Sequence, residues 1–165
     1  LAVVTHRVDT PEPVLPMIQA LLESNRCQID ALERRLSEAH HRKIAFLGLA
    51  FKRDTDDVRE SPVVTLAGRI SRLGTELTAW DPLIRGPSLA GANRSFLLRH
   101  LPGADEILCE SADEAMRDAD AVVIGQSIPE STARRLSYTN QQTVYDLAGI
   151  LDPAEIPGAC YGLYW

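Results

Sequence analysis

Residues 43–62 read KIAFLGLAFKRDTDDVRESP and contain three kinds of segment in succession. The first, KIAFLG, is a short apolar run with the length of a buried β-strand. A densely charged loop follows it. The pair Ser61-Pro62 then supplies a residue that caps a helix and a proline that suits its first turn. A strand, a loop and a helix in this order predict the repeating unit of a parallel α/β sheet.

The same alternation continues along the rest of the chain. Helices are predicted to begin near Ser61, Ser111 and Pro129, and one short helix is predicted at about residues 93–100. We therefore predict an α/β fold, a Rossmann-like parallel sheet of about six strands with flanking helices. The predicted strands are Lys43–Gly48, Glu76–Trp80, Glu106–Cys109, Ala121–Gly125, Thr143–Asp146 and Cys160–Tyr164.

One long helix is predicted ahead of the sheet, over residues 15–39. Apolar side chains recur along it at steps of three and four residues when Asn25 is counted in the series. This narrow stripe must be covered by another helix or by the α/β body, and its spacing suits a seam between two paired helices. The chain is thus divided into residues 1–41, an N-terminal segment with the long helix, and residues 42–165, an α/β domain. The stripe consists of Leu15, Ile18, Leu22, Ile29, Leu32 and Leu36.

The charge balance argues against two classes of partner. The chain has 165 residues, with 17 Lys and Arg against 23 Asp and Glu, which gives a net charge of −6. Such a protein is not expected to coat nucleic acid or an anionic membrane. No apolar run approaches the roughly 20 residues of a membrane-spanning helix. We therefore expect no nucleic acid and no membrane among its partners.

The cysteines and histidines do not predict a metal site. Three scattered cysteines are too few for a disulfide scaffold, so we expect a reducing, cytoplasmic location and buried apolar roles for Cys27, Cys109 and Cys160. The histidines show no ligand spacing. Only two of them are adjacent, and adjacent residues of a helix point in different directions. The four are His6, His40, His41 and His100.

The charged loop at residues 48–60 is the candidate site, because ligands of open α/β sheets bind at the carboxyl ends of the strands. Gly48 stands alone, so the loop is neither a dinucleotide fingerprint nor a P-loop. It offers two cations, Lys52 and Arg59, ahead of a helix N-terminus, which suits the phosphates of a nucleotide. The alternative is a solvated loop in which Asp57 and Arg59 form a local ion pair. Asp81, after the second predicted strand, is interpreted as a turn residue rather than a ribose ligand.

The string GLAFKRDTDDVRESP resembles the loop that opens the C-terminal domain of the UDP-glucose/GDP-mannose dehydrogenase family. The resemblance extends to Ser24-Asn25 and Gln28, which are similar to the end of that family's central helix. Gly91-Ala92-Asn93, Asp146-Leu147 with Gly149, and Trp165 look more like GDP-mannose dehydrogenases. Enzymes of the UDP-glucose branch usually carry Asp-Gly-Arg after the fifth predicted strand, whereas Ala148 and Gly149 stand there in this chain.

The resemblance implies an enzyme that oxidises the C6 alcohol of a nucleotide sugar to a carboxylate with two NAD⁺, through a cysteine thiohemiacetal. It implies that Phe51 and Lys52 contact the nucleotide sugar and that Arg59 reaches NAD. The dinucleotide domain and the Gly-x-x-Cys-x-Pro-Lys-Asp segment of that family are not in this sequence. We therefore expect a C-terminal, nucleotide-sugar-binding portion of a longer enzyme, with no catalytic residue of its own and no turnover alone.

The resemblance also implies that the helix at residues 15–39 forms the core of a homodimer. Two alternatives to a GDP-mannose 6-dehydrogenase domain remain open at this point. One is the corresponding domain of a UDP-glucose 6-dehydrogenase, and the other is a non-enzymatic module for nucleotide binding or dimerisation.

Overall fold

The computed structural model describes residues 16–84 and 89–162. Within these ranges, five strands form one sheet in which every pairing is parallel. The strand order is β2-β1-β3-β4-β5. The predicted parallel α/β architecture is confirmed. The strands are β1 (Lys43–Leu47), β2 (Glu76–Trp80), β3 (Ala121–Ile124), β4 (Thr143–Asp146) and β5 (Cys160–Gly162).

The helices precede the sheet or connect its strands. The long helix is present as predicted over the part that the structure describes, and Leu15 lies outside the described residues. Tyr164 and Trp165, at the other end, also lie outside them. The helices are α1 (Pro16–Glu38), α2 (Pro62–Ser71), α3 (Gly91–His100), α4 (Ala104–Ile107), α5 (Ala112–Met116) and α6 (Glu130–Ala133), with a 3₁₀ turn at Pro153–Glu155.

The predicted strand at Glu106–Cys109 is wrong. Gly103, with φ of +80°, precedes the single helical turn of α4, which occupies half of the predicted strand. Only Leu108 then pairs with β2, through one bridge to Ala79. The N–H of Cys109 donates to the Ala79 carbonyl at 2.8 Å and ends the contact. The local hydrogen bonds of the turn thus replace a sixth strand, and the prediction of about six strands exceeds the observed number by one.

Alternation along the strands divides the core into two layers. In β1, Ile44 and Phe46 face the layer that contains α1, α2 and α3, whereas Ala45 and Leu47 face the layer that contains α5. All four side chains are at most 1% exposed. A strand covered on both faces carries a continuous apolar run, which explains the KIAFLG pattern.

Helix α1 packs on the α/β body only through its C-terminal half. Leu36 is buried in the first layer, and Ile29 and Leu32 pack against that layer from its rim. Arg69 of α2 donates to Asp30 at 2.6 Å and to Glu33 at 2.9 Å. The N-terminal half of α1 lies beyond these contacts.

The cysteines are less buried than expected. Cys27 is exposed on α1, and Cys109 and Cys160 are half-buried. Cys27 lies at a helix position away from the apolar stripe, so nothing covers its thiol among the described residues. Cys109 follows the bridge residue Leu108 and does not belong to a strand.

Candidate functional site

The strand order places a switch point between β1 and β3. The chain leaves β1 for β2 on one side of the sheet and returns to β3 on the other. Two segments therefore diverge at this edge: residues 48–61, here the β1 loop, and residues 125–129, here the β3 loop. Such a divergence at the carboxyl ends of parallel strands is where open α/β sheets bind ligands.

The two loops touch at their bases through glycines. Gly48 has φ of +90°, and a Cβ on Gly125 would lie 2.1 Å from the Gly48 carbonyl oxygen. A Cβ on Gly48 would lie 2.8 Å from the Ser127 hydroxyl oxygen, so neither position accepts a side chain without moving its neighbours. The isolated Gly48, which excluded a dinucleotide fingerprint, is therefore required by this close approach.

The β1 loop is closed by hydrogen bonds at both of its ends. The N–H of Phe51 donates to the Asp57 carbonyl at 2.8 Å. The Ser61 hydroxyl donates to the Leu49 carbonyl at 2.7 Å, and Ser61 also accepts from the N–H of Val64 as the N-cap of α2. Ser61 and Val58 are fully buried, so the loop is anchored while its tip faces solvent.

Phe51 and Lys52, the predicted substrate ligands, lie side by side on the exposed part of this loop. The Phe51 side chain is 50% exposed, and Lys52 is also exposed. Within the described residues, Lys52 makes no hydrogen bond or ion pair, although its charge helps to lower the pKa of the Asp57 carboxyl. The structure thus leaves the Lys52 ammonium available to an anion.

Arg59, the predicted cofactor ligand, forms the ion pair that was the alternative interpretation. Its Nε and Nη2 donate to the two carboxylate oxygens of Asp57 at 2.8 and 2.7 Å. These side-chain hydrogen bonds lower the pKa of Asp57 and raise that of Arg59. The Arg59 side chain remains 57% exposed, so the pair orients the guanidinium without hiding it.

Asp81 is a turn residue, as interpreted, but its role is wider than a turn. Its Oδ1 accepts from the N–H of Leu83 at 2.9 Å. Its Oδ2 accepts from the N–H groups of Leu49 and Ala50 at 2.7 and 3.0 Å, and from the hydroxyl of Ser127 at 2.6 Å. The residue is 1% exposed. One buried carboxylate therefore joins the segments that follow β1, β2 and β3.

The contacts of Asp81 bear on whether the switch point could bind a dinucleotide such as NAD. A glycine-rich loop binds a pyrophosphate through free backbone N–H groups at the start of the loop. Here the N–H groups of Leu49 and Ala50 are already bonded to Asp81. The described residues therefore do not form a dinucleotide site of their own.

Sequence reasoning missed Ser127, and it marked Asn93 within Gly91-Ala92-Asn93 without connecting that residue to the β1 loop. Ser127 lies in the β3 loop, is 4% exposed and bonds to Asp81. Asn93 of α3 donates to the Asp56 carbonyl at 3.2 Å and so connects α3 to the β1 loop. A polar residue just after a predicted strand was the available signal for Ser127. For Asn93, no local signal connects a position so far along the chain to this loop.

A cleft of about 550 Å³ opens beside the two loops. Its walls carry cations and anions in near balance, and Arg134 is paired with Glu130 at 2.8 Å. Arg53, in the cleft wall, donates to the Gln126 carbonyl of the β3 loop at 3.4 Å. The lining residues are Arg53, Asp54, Pro129, Glu130, Ser131 and Arg134.

The loop after β4 is closed by a second buried carboxylate. Asp146 accepts four backbone N–H groups between residues 148 and 151, at 2.8 to 3.0 Å. Ala148 and Gly149 contribute only their backbone N–H groups here. Within the described residues, no group of three His, Cys, Asp or Glu side chains is arranged to hold a metal ion.

Residues 45–153, about two thirds of the chain, match the UDP binding domain of the UDP-glucose/GDP-mannose dehydrogenase family. The chain belongs to this family. The match begins within β1 and ends in the 3₁₀ turn, so it spans both switch-point loops and the Asp146 loop. Among residues 16–84 and 89–162, no helix is long and apolar enough to cross a membrane.

Curated relatives and solved structures agree with this assignment. A GDP-mannose 6-dehydrogenase of Pseudomonas putida is 32% identical over 164 residues, which are 98% of this chain and 37% of the relative. A UDP-glucose 6-dehydrogenase of Bacillus subtilis is 32% identical over 112 residues, 66% of this chain and 23% of the relative. A GDP-mannose dehydrogenase of Pseudomonas aeruginosa, solved as a ternary complex, superposes with a TM-score of 0.71 at 28% identity, covering 91% of this chain and 34% of that one. The chain therefore spans little more than a third of the length of these GDP-mannose relatives.

Proposed function

We propose that this chain is the nucleotide-sugar-binding domain of an NAD-dependent nucleotide-sugar 6-dehydrogenase that converts GDP-mannose to GDP-mannuronate. The observation that supports it best is the state of Lys52. Its ammonium lies on a loop anchored at both ends, at the ligand-binding edge of the sheet, and has no hydrogen-bonding partner within the described residues. Family membership places this loop in the UDP binding domain.

Lys52 would hold the diphosphate of the nucleotide sugar. An ammonium that donates to a phosphate oxygen forms a charge-assisted hydrogen bond, about twice as strong as a neutral one. Phe51, half exposed beside it, would flank the ligand with its ring or backbone. Neither residue carries out chemistry, because the cysteine that captures the aldehyde in the proposed reaction would come from outside this sequence.

Arg59 would contact NAD bound mainly by another domain. NAD would supply the oxidant for both steps of the reaction. The Asp57 carboxylate fixes the direction of the guanidinium, which retains N–H groups facing solvent. This preorganisation lowers the entropic cost of meeting a pyrophosphate.

GDP-mannose is proposed over UDP-glucose for two reasons. A GDP-mannose relative aligns over 98% of the chain, whereas two UDP-glucose relatives of Bacillus subtilis align over 88% and 66% of it. In addition, Ala148 and Gly149 provide no side chain to replace the arginine expected there in the UDP-glucose branch. A domain that binds nucleotides without serving an enzyme is less favoured, because the family to which the chain belongs consists of dehydrogenases. The cytoplasmic location stays a prediction.

The test is a calorimetric titration of the purified chain with GDP-mannose, GDP, UDP-glucose and UDP. We expect the guanosine ligands to bind more tightly than the uridine ligands. If none of the four ligands binds, the proposed function is wrong. If UDP-glucose and UDP bind more tightly than the guanosine ligands, the chain is instead a domain of a UDP-glucose 6-dehydrogenase. This chain alone should form no NADH from NAD⁺ and either nucleotide sugar. Sustained NADH formation would refute the proposal that the catalytic cysteine comes from outside this sequence.

A further inference from the structure

Asp81 fixes the backbone at the base of the β1 loop. Oδ2 bonds the two successive N–H groups of Leu49 and Ala50, which immediately precede Phe51 and Lys52. Two consecutive backbone donors held by one oxygen fix the direction of the chain at that point. Because Gly48 has φ of +90°, the loop would otherwise have an unusually free hinge at its base.

Ser127 supplies the third bond to the same oxygen, from the opposite side of the switch point. Its hydroxyl donates at 2.6 Å, and both side chains are almost completely buried. Among the described residues, the Ser127 side chain makes no other hydrogen bond, and Ser127 belongs to no helix or strand and caps none. The hydroxyl thus connects the β3 loop, which leads into the cleft wall, to the carboxylate that holds the β1 loop.

The geometry differs from that of a carboxylate that only closes a turn. Asp146 is equally buried and also accepts four hydrogen bonds, but all its donors lie two to five residues further along the same loop. The donors to Asp81 come from segments 31, 32 and 46 residues away, besides the local one at Leu83. A carboxylate that only closes a turn needs donors from its own loop. A carboxylate that fixes one loop against another needs donors from both loops, as Asp81 has.

We propose that Asp81 and Ser127 are positioning residues that hold the β1 loop so that Lys52 meets a ligand phosphate. This inference rests on the proposed function for its ligand. Neither residue touches the ligand in this proposal. They act through Leu49 and Ala50, and preorganisation of the loop raises affinity by reducing the ordering cost of binding.

Ser127→Ala is the variant of choice, because it removes one bond and leaves Asp81 in place. The matched control is Thr78→Val, which also removes one hydroxyl donor with a 2.6 Å bond, in this case to the carbonyl of Ala115 in α5. Hydrogen exchange of the Leu49 and Ala50 amides should accelerate in Ser127→Ala and stay at the wild-type rate in Thr78→Val. Affinity for GDP should fall on the order of threefold to tenfold in Ser127→Ala only.

A double-mutant cycle with Lys52→Ala separates positioning from general destabilisation. If Ser127 acts through Lys52, Ser127→Ala should weaken GDP binding in the wild type and have no further effect in the Lys52→Ala background. An equal loss in both backgrounds, or none in either, would overturn the proposal.

Failure of the proposed function gives a different result from failure of this inference. If the wild-type chain binds none of the four nucleotides, the proposed function is wrong and positioning toward a phosphate falls with it. If GDP binds and Lys52→Ala weakens it, but the Leu49 and Ala50 amides exchange at the wild-type rate in Ser127→Ala, only the inference is wrong.

Discussion

Lys52 is the residue on which the proposed site depends most directly. Lys52→Ala should reduce the binding free energy for GDP by about 1.5–3 kcal/mol, because a charge-assisted hydrogen bond to phosphate is lost. The melting temperature should not change, since Lys52 has no hydrogen bond or ion pair within the described residues to lose. Calorimetric titration and thermal unfolding measure the two quantities.

The control for this variant is Arg72→Ala, which removes an exposed positive charge at the end of α2 near the opposite edge of the sheet. It should bind GDP as the wild type does. An equal loss of affinity in both variants would mean that net charge, rather than a contact at Lys52, governs binding.

Ser61 combines a helix cap with an anchor for the β1 loop. Ser61→Ala removes the bond to the buried Leu49 carbonyl and the cap on Val64, and should lower the free energy of unfolding by about 1–3 kcal/mol. Ser111 is the matched control, because it also caps a helix, through Glu114, but is exposed and bonds no buried carbonyl. Ser111→Ala should cost less in urea unfolding. Equal costs would show that the Leu49 bond contributes nothing.

The sequence predicted the exposure and local pairing of single residues but not their contacts with distant segments. The exposure of Phe51, Lys52 and Arg59 follows from their polar neighbours, and the Asp57–Arg59 pair follows from the spacing of the two residues. The roles of Asp81 and Asp146 look alike in the sequence, since each ends an apolar strand. Only the fold shows that one collects donors from three segments and the other from its own loop.

At the scale of elements, an aromatic cluster joins the end of α1 to β4 and β5. His41 Nε2 lies 3.0 Å from the Tyr145 hydroxyl. Tyr145 packs on Tyr161 with ring centroids 5.7 Å apart, and the Arg35 guanidinium lies 4.2 Å from the Tyr161 ring. Tyr161 is thus a packing residue at the sheet edge. This cluster holds the long helix against the domain.

His41 makes this junction sensitive to pH. Burial lowers its pKa below the usual 6.5, against a smaller opposite effect of Asp120. The folded state therefore binds fewer protons at His41 than the unfolded state, and stability is lost as the pH falls from 6.5 through the lowered pKa. His41→Gln should flatten the dependence of the unfolding free energy on pH between about 8 and about 5.

Tyr145→Phe serves as the control, because it removes the hydrogen bond to His41 but leaves the ring buried. Since burial is the main cause of the shift, the pH dependence should persist in this variant. A flattened curve in Tyr145→Phe, or an unchanged one in His41→Gln, would assign the dependence to other groups.

Elements were predictable where one pattern dominated. All five observed strands overlap strands that short apolar runs predicted, and α2 begins where Ser61-Pro62 predicted a helix. At Glu106–Cys109 the run was apolar enough for a strand, but Gly103 allowed a helical turn that satisfied the backbone locally. Such competition between local and long-range hydrogen bonds is not visible in periodicity alone.

At the scale of the whole molecule, the α/β body does not cover the first half of α1. Met17 and Leu21 are 77% and 44% exposed, whereas Ile29 and Leu32 pack on the body. The stripe runs along both halves of the helix with Asn25 between them, so its N-terminal half requires a different partner from its C-terminal half. Ile18 and Leu22, which are half-buried, carry the stripe into this half of the helix beside the exposed Met17 and Leu21.

We propose that a second copy of the chain covers this half of α1, as the family resemblance implies. Ile18→Asp with Leu22→Asp should yield a monomer in light scattering, because an unpaired charge in the seam would cost several kcal/mol. Ile29 is unsuitable for the test, since changing it would also disturb the core of its own domain. Circular dichroism of the α/β body should remain unchanged in the Ile18/Leu22 variant.

Ala20→Asp with Ala31→Asp is the matched control, because it adds the same two charges at exposed positions away from the stripe. This variant should remain dimeric if the stripe is the interface. Dissociation of both double variants would indicate that added charge weakens the helix itself, since aspartate is a poor helix former at either face. A wild-type chain that is monomeric at high micromolar concentration would refute the dimer directly.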